Sequence, residues 1–403
     1  MEGKILDKKF ESVKADENNK KWDVISKREQ ELYDANTDIR SCFERDYTRI
    51  LHSNAYRRLK HKTQVFYSPE NDHICTRIEH VNYVESISYT IANYLGLNTE
   101  LAKAIAAGHD VGHSPFGHAG EKVLSEISKR DIGQSFWHER NGLYMVDYIE
   151  LLEDRNGKKK NLDLTYAVRD GIISHCGEID ENSLYPRTEA IDLEKEYQYP
   201  NQYSPYTWEG CVVKISDKIS YIGRDIEDAI KLGFISKDLK ELEEILGREV
   251  NNSIIINTLV RDVCENSSLE NGIRLSKESI DLMDTIKDYN YKNIYLSQRM
   301  KPSNEFFRIV INQIYETLKA TYKGEESYKE INKLARYCPN LANGFIGFIE
   351  NYWNISDRNE LKLDNKILYN INNKSDYLKA IITYISGMTD KFAIDMYNEI
   401  IRF

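Results

Sequence analysis

Proline and glycine are scarce in this chain of 403 residues, at 7 and 20 respectively, and three of the prolines (Pro186, Pro200 and Pro205) crowd into one interval. Long stretches without helix breakers favour α-structure over a strand-and-turn fold. An excess of basic residues is also missing. The 55 Lys and Arg face 65 Asp and Glu for a net charge of −10, which excludes a general nucleic-acid coat and requires that any polyanion be met by a local patch or a metal. Six cysteines at 42, 75, 176, 211, 264 and 338 form no CxxC pair, so neither a thiolate knuckle nor a disulfide framework is indicated, and they read as reduced thiols. Nowhere do 18 apolar residues run uninterrupted, and the first ten residues carry no signal-type apolar stretch. A soluble, cytoplasmic protein with no membrane partner is expected. What is present is ample core material, 41% hydrophobic with 28 Tyr.

Apolar residues at Val81, Val84, Ile87, Ile91 and Leu95 trace a helical stripe that should stop at Gly96. Asn98 or Thr99 can cap a second helix through Leu101, Ala104 and Ile105 toward Gly108. A third stripe is Val212, Ile215, Ile219, Ile222, Ile226 and Ile230, and further helical segments cover Phe306 to Ala320 and Tyr377 to Met388. No comparable run alternates with period two, so the fold class is all-α. The expected organisation is an N-terminal segment, 1–44, partly mobile but dockable through Trp22 and Ile25. A core over 45–235 follows, interrupted by a loop insertion at 177–207, and then a C-terminal helical region over 236–403.

Metal-ligand residue types stand at helix positions: His80 near one start, His109 and Asp110 at one end, Asp217 on a third helix. Adjacent helical residues point about 100° apart, so His109 and Asp110 can share an ion only where the backbone leaves helix geometry, and Gly112 and Pro115 supply that departure. Two imidazoles and two carboxylates make a mixed N/O set with room for water or a phosphate oxygen. Asp217, Tyr221 and Asp225 are spaced i, i+4, i+8 and line one helix face. His118 and Glu121 stand i, i+3, and a carboxylate beside an imidazole fixes its tautomer and suits it to proton transfer.

The stretch His109-Asp-Val-Gly-His-Ser-Pro-Phe-Gly-His-Ala-Gly-Glu121 resembles the HD superfamily of metal-dependent phosphohydrolases, in its dGTP triphosphohydrolase-like branch. A block from Arg45 through Arg57-Arg-Leu-Lys-His-Lys-Thr-Gln64 to Phe66 and another from Trp208 to Asp217, Tyr221, Asp225 and Ile230 are similar to further signatures of that branch. The resemblance implies an HD-domain helical fold with additional C-terminal helices. It implies one divalent metal, manganese, magnesium or iron ahead of zinc, on His80, His109, Asp110 and Asp217. It also implies catalytic roles for His118, Glu121 and His138, and substrate contacts from Gln64, Arg77, Lys218, Tyr221 and Asp225. His113 and His175 receive no primary role. Gly223-Arg224 replaces the Asn-His expected before Asp225, a departure that bears on substrate preference.

The activity implied is hydrolysis of a dNTP, dGTP foremost, to deoxynucleoside and inorganic triphosphate, with His118 either protonating the departing 5′-oxygen or activating water. A broader HD nucleotidase or phosphodiesterase, and a regulatory module binding nucleotide or single-stranded DNA without turnover, are the rival readings. The family further implies homo-oligomers and a dNTP or single-stranded-DNA effector, for which the basic run from Arg45 to Lys62 is a candidate surface.

Overall fold

The computed structural model describes residues 8–30, 38–67, 71–176, 183–236, 239–246, 250–353 and 356–402. Helices dominate them, as the all-α expectation requires. In chain order, the helices that matter below are α1 (Arg77–Leu95), α2 (Thr99–Gly108), α3 (Gly117–Ile132), α4 (His138–Tyr144), α5 (Tyr166–Ser174), α6 (Trp208–Lys231), α7 (Asn252–Asn266), α8 (Lys277–Asn290), α9 (Lys301–Ala320), α10 (Pro339–Glu350), α11 (Lys374–Ser386) and α12 (Asp390–Ile401). Among the described residues, period counting misses an antiparallel hairpin, β1 (Leu151–Glu153) and β2 (Lys159–Asn161), with Leu152 opposite Lys160. Three-residue strands are too short to show an alternation.

The chain folds into two compact units, each assembled from separated segments. The first comprises residues 1–51, 70–110 and 163–301; the second comprises 52–69, 111–162 and 302–403. No described helix is long and apolar enough to cross a membrane.

In the first unit, α1 packs along α2 and α6, α5 packs on α2, and α7 and α8 pack on α6. The stripe Val81, Val84, Ile87, Ile91 and Leu95 is buried throughout. Thr76 and Glu79 form a capping box that starts α1, and Gly96 ends it at φ 81°, a conformation with no steric cost for glycine. Asn98 caps α2, accepting from the Glu100 and Leu101 amides. The N-terminal stretch is docked within this unit: Phe10 and Ile25 are buried, Phe10 meets Trp208 edge-on at 4.9 Å, and Trp22 meets Phe43 at 5.8 Å. The 183–207 stretch is non-helical yet anchored, with Arg187 paired to the buried Asp170 at 2.6 Å and Tyr197 fully buried. Residues 1–7, 31–37 and 177–182, on which the expectations of a mobile N-terminus and of an insertion partly fall, lie outside the described residues.

In the second unit, Val123, Leu124 and Ile127 of α3 share one core with Phe307, Ile311 and Ile314 of α9, Leu341 and Phe345 of α10, Ile381 and Ile385 of α11, and Ala393 and Met396 of α12. Burial of roughly 1.5–3 kcal/mol per large apolar side chain makes this C-terminal half the support on which α3 rests.

Candidate active site

Four ligand-type side chains from α1, the end of α2 and α6 converge in the first unit. His80 Nε2 lies 3.0 Å from Asp217 Oδ1, 3.4 Å from His109 Nε2 and 3.7 Å from Asp110 Oδ2. His109 Nε2 is 3.6 Å from Asp110 Oδ1 and 3.8 Å from Asp217 Oδ1. Donor atoms bound about 2.1 Å from a common cation would stand about 3.0 to 3.4 Å apart, so the set needs only small adjustments to hold one.

The ring tautomers fit the same role. His109 Nδ1 meets the Ala106 carbonyl at 2.6 Å, and a carbonyl only accepts, so Nδ1 carries the proton and Nε2 the lone pair. Ser220 donates its hydroxyl proton to the Asp217 carbonyl at 2.7 Å, which leaves its oxygen to accept from His80 Nδ1 at 3.1 Å. These are the outer hydrogen bonds that orient ligating histidines. Burial works against a charged His80, but the bond to Asp217 and the charges of Asp217 and Asp110 outweigh it and raise its pKa. Burial likewise opposes ionised Asp217, and His80, His109 and His175 overcome it, bringing the carboxyl to about 2. Positive charge is thus what the two carboxylates demand, and a divalent cation satisfies that demand with the same atoms.

His175, assigned no primary role from sequence, belongs to this group. Its Nδ1 donates to the Ile172 carbonyl at 2.7 Å, its ring meets that of His109 at 5.0 Å, and it forms a metal-capable trio with His109 and Asp217. Arg77 is almost fully buried and bonded to Asp110 Oδ2 at 2.7 Å. Its guanidinium therefore fixes the orientation of the Asp110 carboxylate.

Further along α6, Lys218 and Tyr221 are half-buried, while Asp225 is buried and accepts from the Tyr295 hydroxyl. Burial, first, and Asp228 push the Asp225 carboxyl up to about 7 against the pull of Tyr295, His80 and Arg77. Arg224 does not serve Asp225: it pairs with Glu227 at 3.0 Å and donates to the Tyr83 hydroxyl at 3.0 Å. Tyr295 sits on a π-helical turn far along the chain and carries no sequence signal.

The second unit brings together His118, Glu121 and His138, and adds His113. Glu121 Oε2 is 3.4 Å from His118 Nδ1 and 3.1 Å from His138 Nδ1, and the His138 amide donates to Glu121 Oε1 at 3.0 Å. The His113 and His138 rings stack at 3.8 Å. Burial would raise the Glu121 pKa, yet the three imidazoles hold it well below the usual carboxylate range. The His118 side chain is 77% exposed, and can therefore reach a bound molecule.

A local glycine and contacts from distant segments together set this geometry. Gly112 lies against the first turn of α4, where a Cβ would stand 2.1 Å from both the His138 carbonyl oxygen and the Gly142 nitrogen, so only glycine fits. Asn141 Nδ2 donates to the Gly112 carbonyl at 2.7 Å. Phe116, the residue before α3, is held at φ 63°, unusual for a bulky residue. Its ring stacks on Phe307 at 4.3 Å and its amide donates to Asp390 Oδ1 at 2.8 Å. The buried Asp390 also accepts from the Thr63 amide at 2.8 Å, next to the half-buried Gln64. Lys62, read from sequence as one of a basic run, is instead buried and donates to the carbonyls of His113 and Ser386.

Comparison with known proteins identifies the family. Residues 77–222 match the HD domain family. A deoxyguanosinetriphosphate triphosphohydrolase-like protein of Caldanaerobacter subterraneus is 35% identical over 366 residues, covering 90% of this chain and 86% of the relative. Proteins of the same description from Rickettsia bellii and Desulfatibacillum aliphaticivorans are each 32% identical, covering 90% of this chain and 92% and 88% of theirs. With an HD motif whose ligand atoms converge and relatives aligned over nine-tenths of its length, the chain is a hydrolase of the HD phosphohydrolase superfamily and belongs to the deoxyguanosinetriphosphate triphosphohydrolase-like family.

Proposed function

We propose that the protein hydrolyses deoxynucleoside triphosphates, dGTP among them, with water, cleaving the bond between the α-phosphorus and the 5′-oxygen to give the deoxynucleoside and inorganic triphosphate. The observation that carries this reading is the convergence of His80, His109, Asp110 and Asp217 with both ring tautomers set for ligation. Those four residues would hold one divalent metal, manganese, magnesium or iron, which when bound supplies Lewis acidity at phosphate and lowers the pKa of water. Arg77 keeps Asp110 in place and adds positive charge beside it, and Lys218 is assigned to the phosphates. Tyr221 and Asp225 are assigned to the sugar, the ring excluding a 2′-hydroxyl and the carboxyl accepting from the 3′-hydroxyl.

His118, held by Glu121, is assigned the proton that the leaving 5′-oxygen takes up. The roles of His138 and Gln64 are carried over from the family resemblance. The same reading includes a cytoplasmic homo-oligomer with a dNTP or single-stranded DNA as effector.

Incubation with each dNTP, singly and in pairs, with manganese or magnesium, tests it. Deoxynucleoside and triphosphate are the expected products; orthophosphate or pyrophosphate would point instead to a broader HD nucleotidase. Equal rates on GTP and dGTP would remove the sugar assignment of Tyr221.

A further inference from the structure

A short strap fastens the second half of α6. It begins at the end of α8, where Asn290 Nδ2 donates to the Ile222 carbonyl at 2.9 Å. It continues through the π-helical turn Tyr291–Tyr295, with Ile294 fully buried, and reaches Arg299, which donates to the Gly233 carbonyl at 2.9 Å and covers the Phe234 ring at 4.3 Å. Between these two fastenings, the Tyr295 hydroxyl donates to Asp225 Oδ2. The Tyr291 ring meets that of Tyr295 edge-on at 5.2 Å and limits its swing. Among the described residues the hydrogen bond to Asp225 is made at Oδ2 and none reaches the other oxygen, Oδ1. π-Helical turns cost backbone regularity and recur at functional positions, and this one places a phenol against a buried carboxylate.

We propose that Tyr295 is a positioning residue for sugar recognition: by occupying Oδ2 of Asp225 it fixes the carboxyl plane and presents Oδ1 to the 3′-hydroxyl of a deoxynucleotide. A carboxyl with both oxygens unengaged would rotate about its last bond and lose directionality. One donor already bound to Oδ2 leaves a single acceptor edge for the substrate. The inference rests on the reading of Asp225 as a sugar contact given above, and it assigns a residue outside the three motifs of the sequence.

The test compares the wild type, Y295F and D225N on the dNTP hydrolysed best and on its 2′,3′-dideoxy analogue, with metal supplied. Phenylalanine keeps the ring packing and removes only the hydroxyl. Hydrogen bonds to charged groups are worth enough to change kcat/KM by about tenfold to a hundredfold. The expected result is a loss of that order for Y295F on the deoxynucleotide, mostly in KM, that vanishes on the 3′-deoxy analogue, with D225N showing the same pattern. An equal loss for Y295F on both substrates would assign Tyr295 to structure only and overturn the proposal. So would a Y295F enzyme that keeps wild-type selectivity while D225N loses it. If the wild type and D225N both treat the two substrates alike, the sugar reading of Asp225 itself falls, and the inference falls with it.

Discussion

Asp390→Ala should release the turn that delivers His118. Asp390 accepts from the Phe116 amide at 2.8 Å, the Thr63 amide at 2.8 Å and the Thr63 hydroxyl at 2.5 Å, all in a buried setting. Truncation leaves two buried amides without their acceptor, at about 1–3 kcal/mol each. It also stops opposing the strain of Phe116 at φ 63°, a further ~1–3 kcal/mol stored in the turn. Against these stands the desolvation of the carboxylate itself, since burial raises the Asp390 pKa despite the bonds from Thr63 and Phe116. A net loss of about 3 kcal/mol is expected, which corresponds to roughly a hundredfold faster amide exchange at Phe116 and Gly117 if the turn opens locally. Hydrogen–deuterium exchange on peptides spanning 111–121 measures it directly, with the α5 peptides as an internal reference. Asp390→Asn, which keeps one carbonyl oxygen, should show about half the free-energy effect. Exchange at the turn within about twofold of wild type in the alanine variant would refute the idea that Asp390 holds this conformation.

The remaining expectations concern chemistry, packing and pH. Asp217→Asn should abolish bound metal by elemental analysis, whereas His118→Ala should retain it and lose on the order of 100-fold in turnover; near-normal turnover of the latter would remove His118 from the mechanism. Gly112→Ala, with no space for its Cβ, should lower thermal stability by about 1–3 kcal/mol through backbone displacement at α4, read in a melting curve. Asp225 has a folded-state pKa of about 7, above its unfolded value, so its contribution to stability is greatest below the unfolded pKa and is lost as pH rises through 7. Metal-free wild type should therefore melt lower at pH 8 than at pH 5.5 by more than Asp225→Asn does, and equal slopes would contradict the burial argument.

Much of the first unit was legible in the sequence because its signals are local. Period 3.6 located α1, α2 and α6, glycine and asparagine marked the end of α1 and the start of α2, and of the four converging ligand-type residues His80, His109 and Asp110 lie at or near helix termini while Asp217 stands mid-helix. The i, i+3 spacing of His118 and Glu121 similarly follows from α3 beginning at Gly117. The unread features are pairings across large sequence separations. Asp390 serves Phe116 from a helix start that looks like any other, and Tyr295 serves Asp225 from a chain segment rich in ordinary tyrosines. His175 was undervalued because a single histidine carries no spacing, and only the approach of α5 brings its ring to His109. Lys62 was misjudged for the opposite reason: a cluster of cations reads as a solvated face, but backbone carbonyls can bury one of its members.

The discontinuity of the second unit has a consequence for biosynthesis. The turn at Phe116 waits for an acceptor 274 residues further on, and at about 5–20 residues per second the ribosome needs roughly 15 to 55 s to supply it. During that interval α3 also lacks its apolar partners on α9 to α12, so Val123, Leu124 and Ile127 are exposed on the nascent chain and invite chaperone binding. The geometry around His118 is therefore completed late, when the C-terminal helices close over a segment made long before, and a chain released early carries the motif without the turn that presents it.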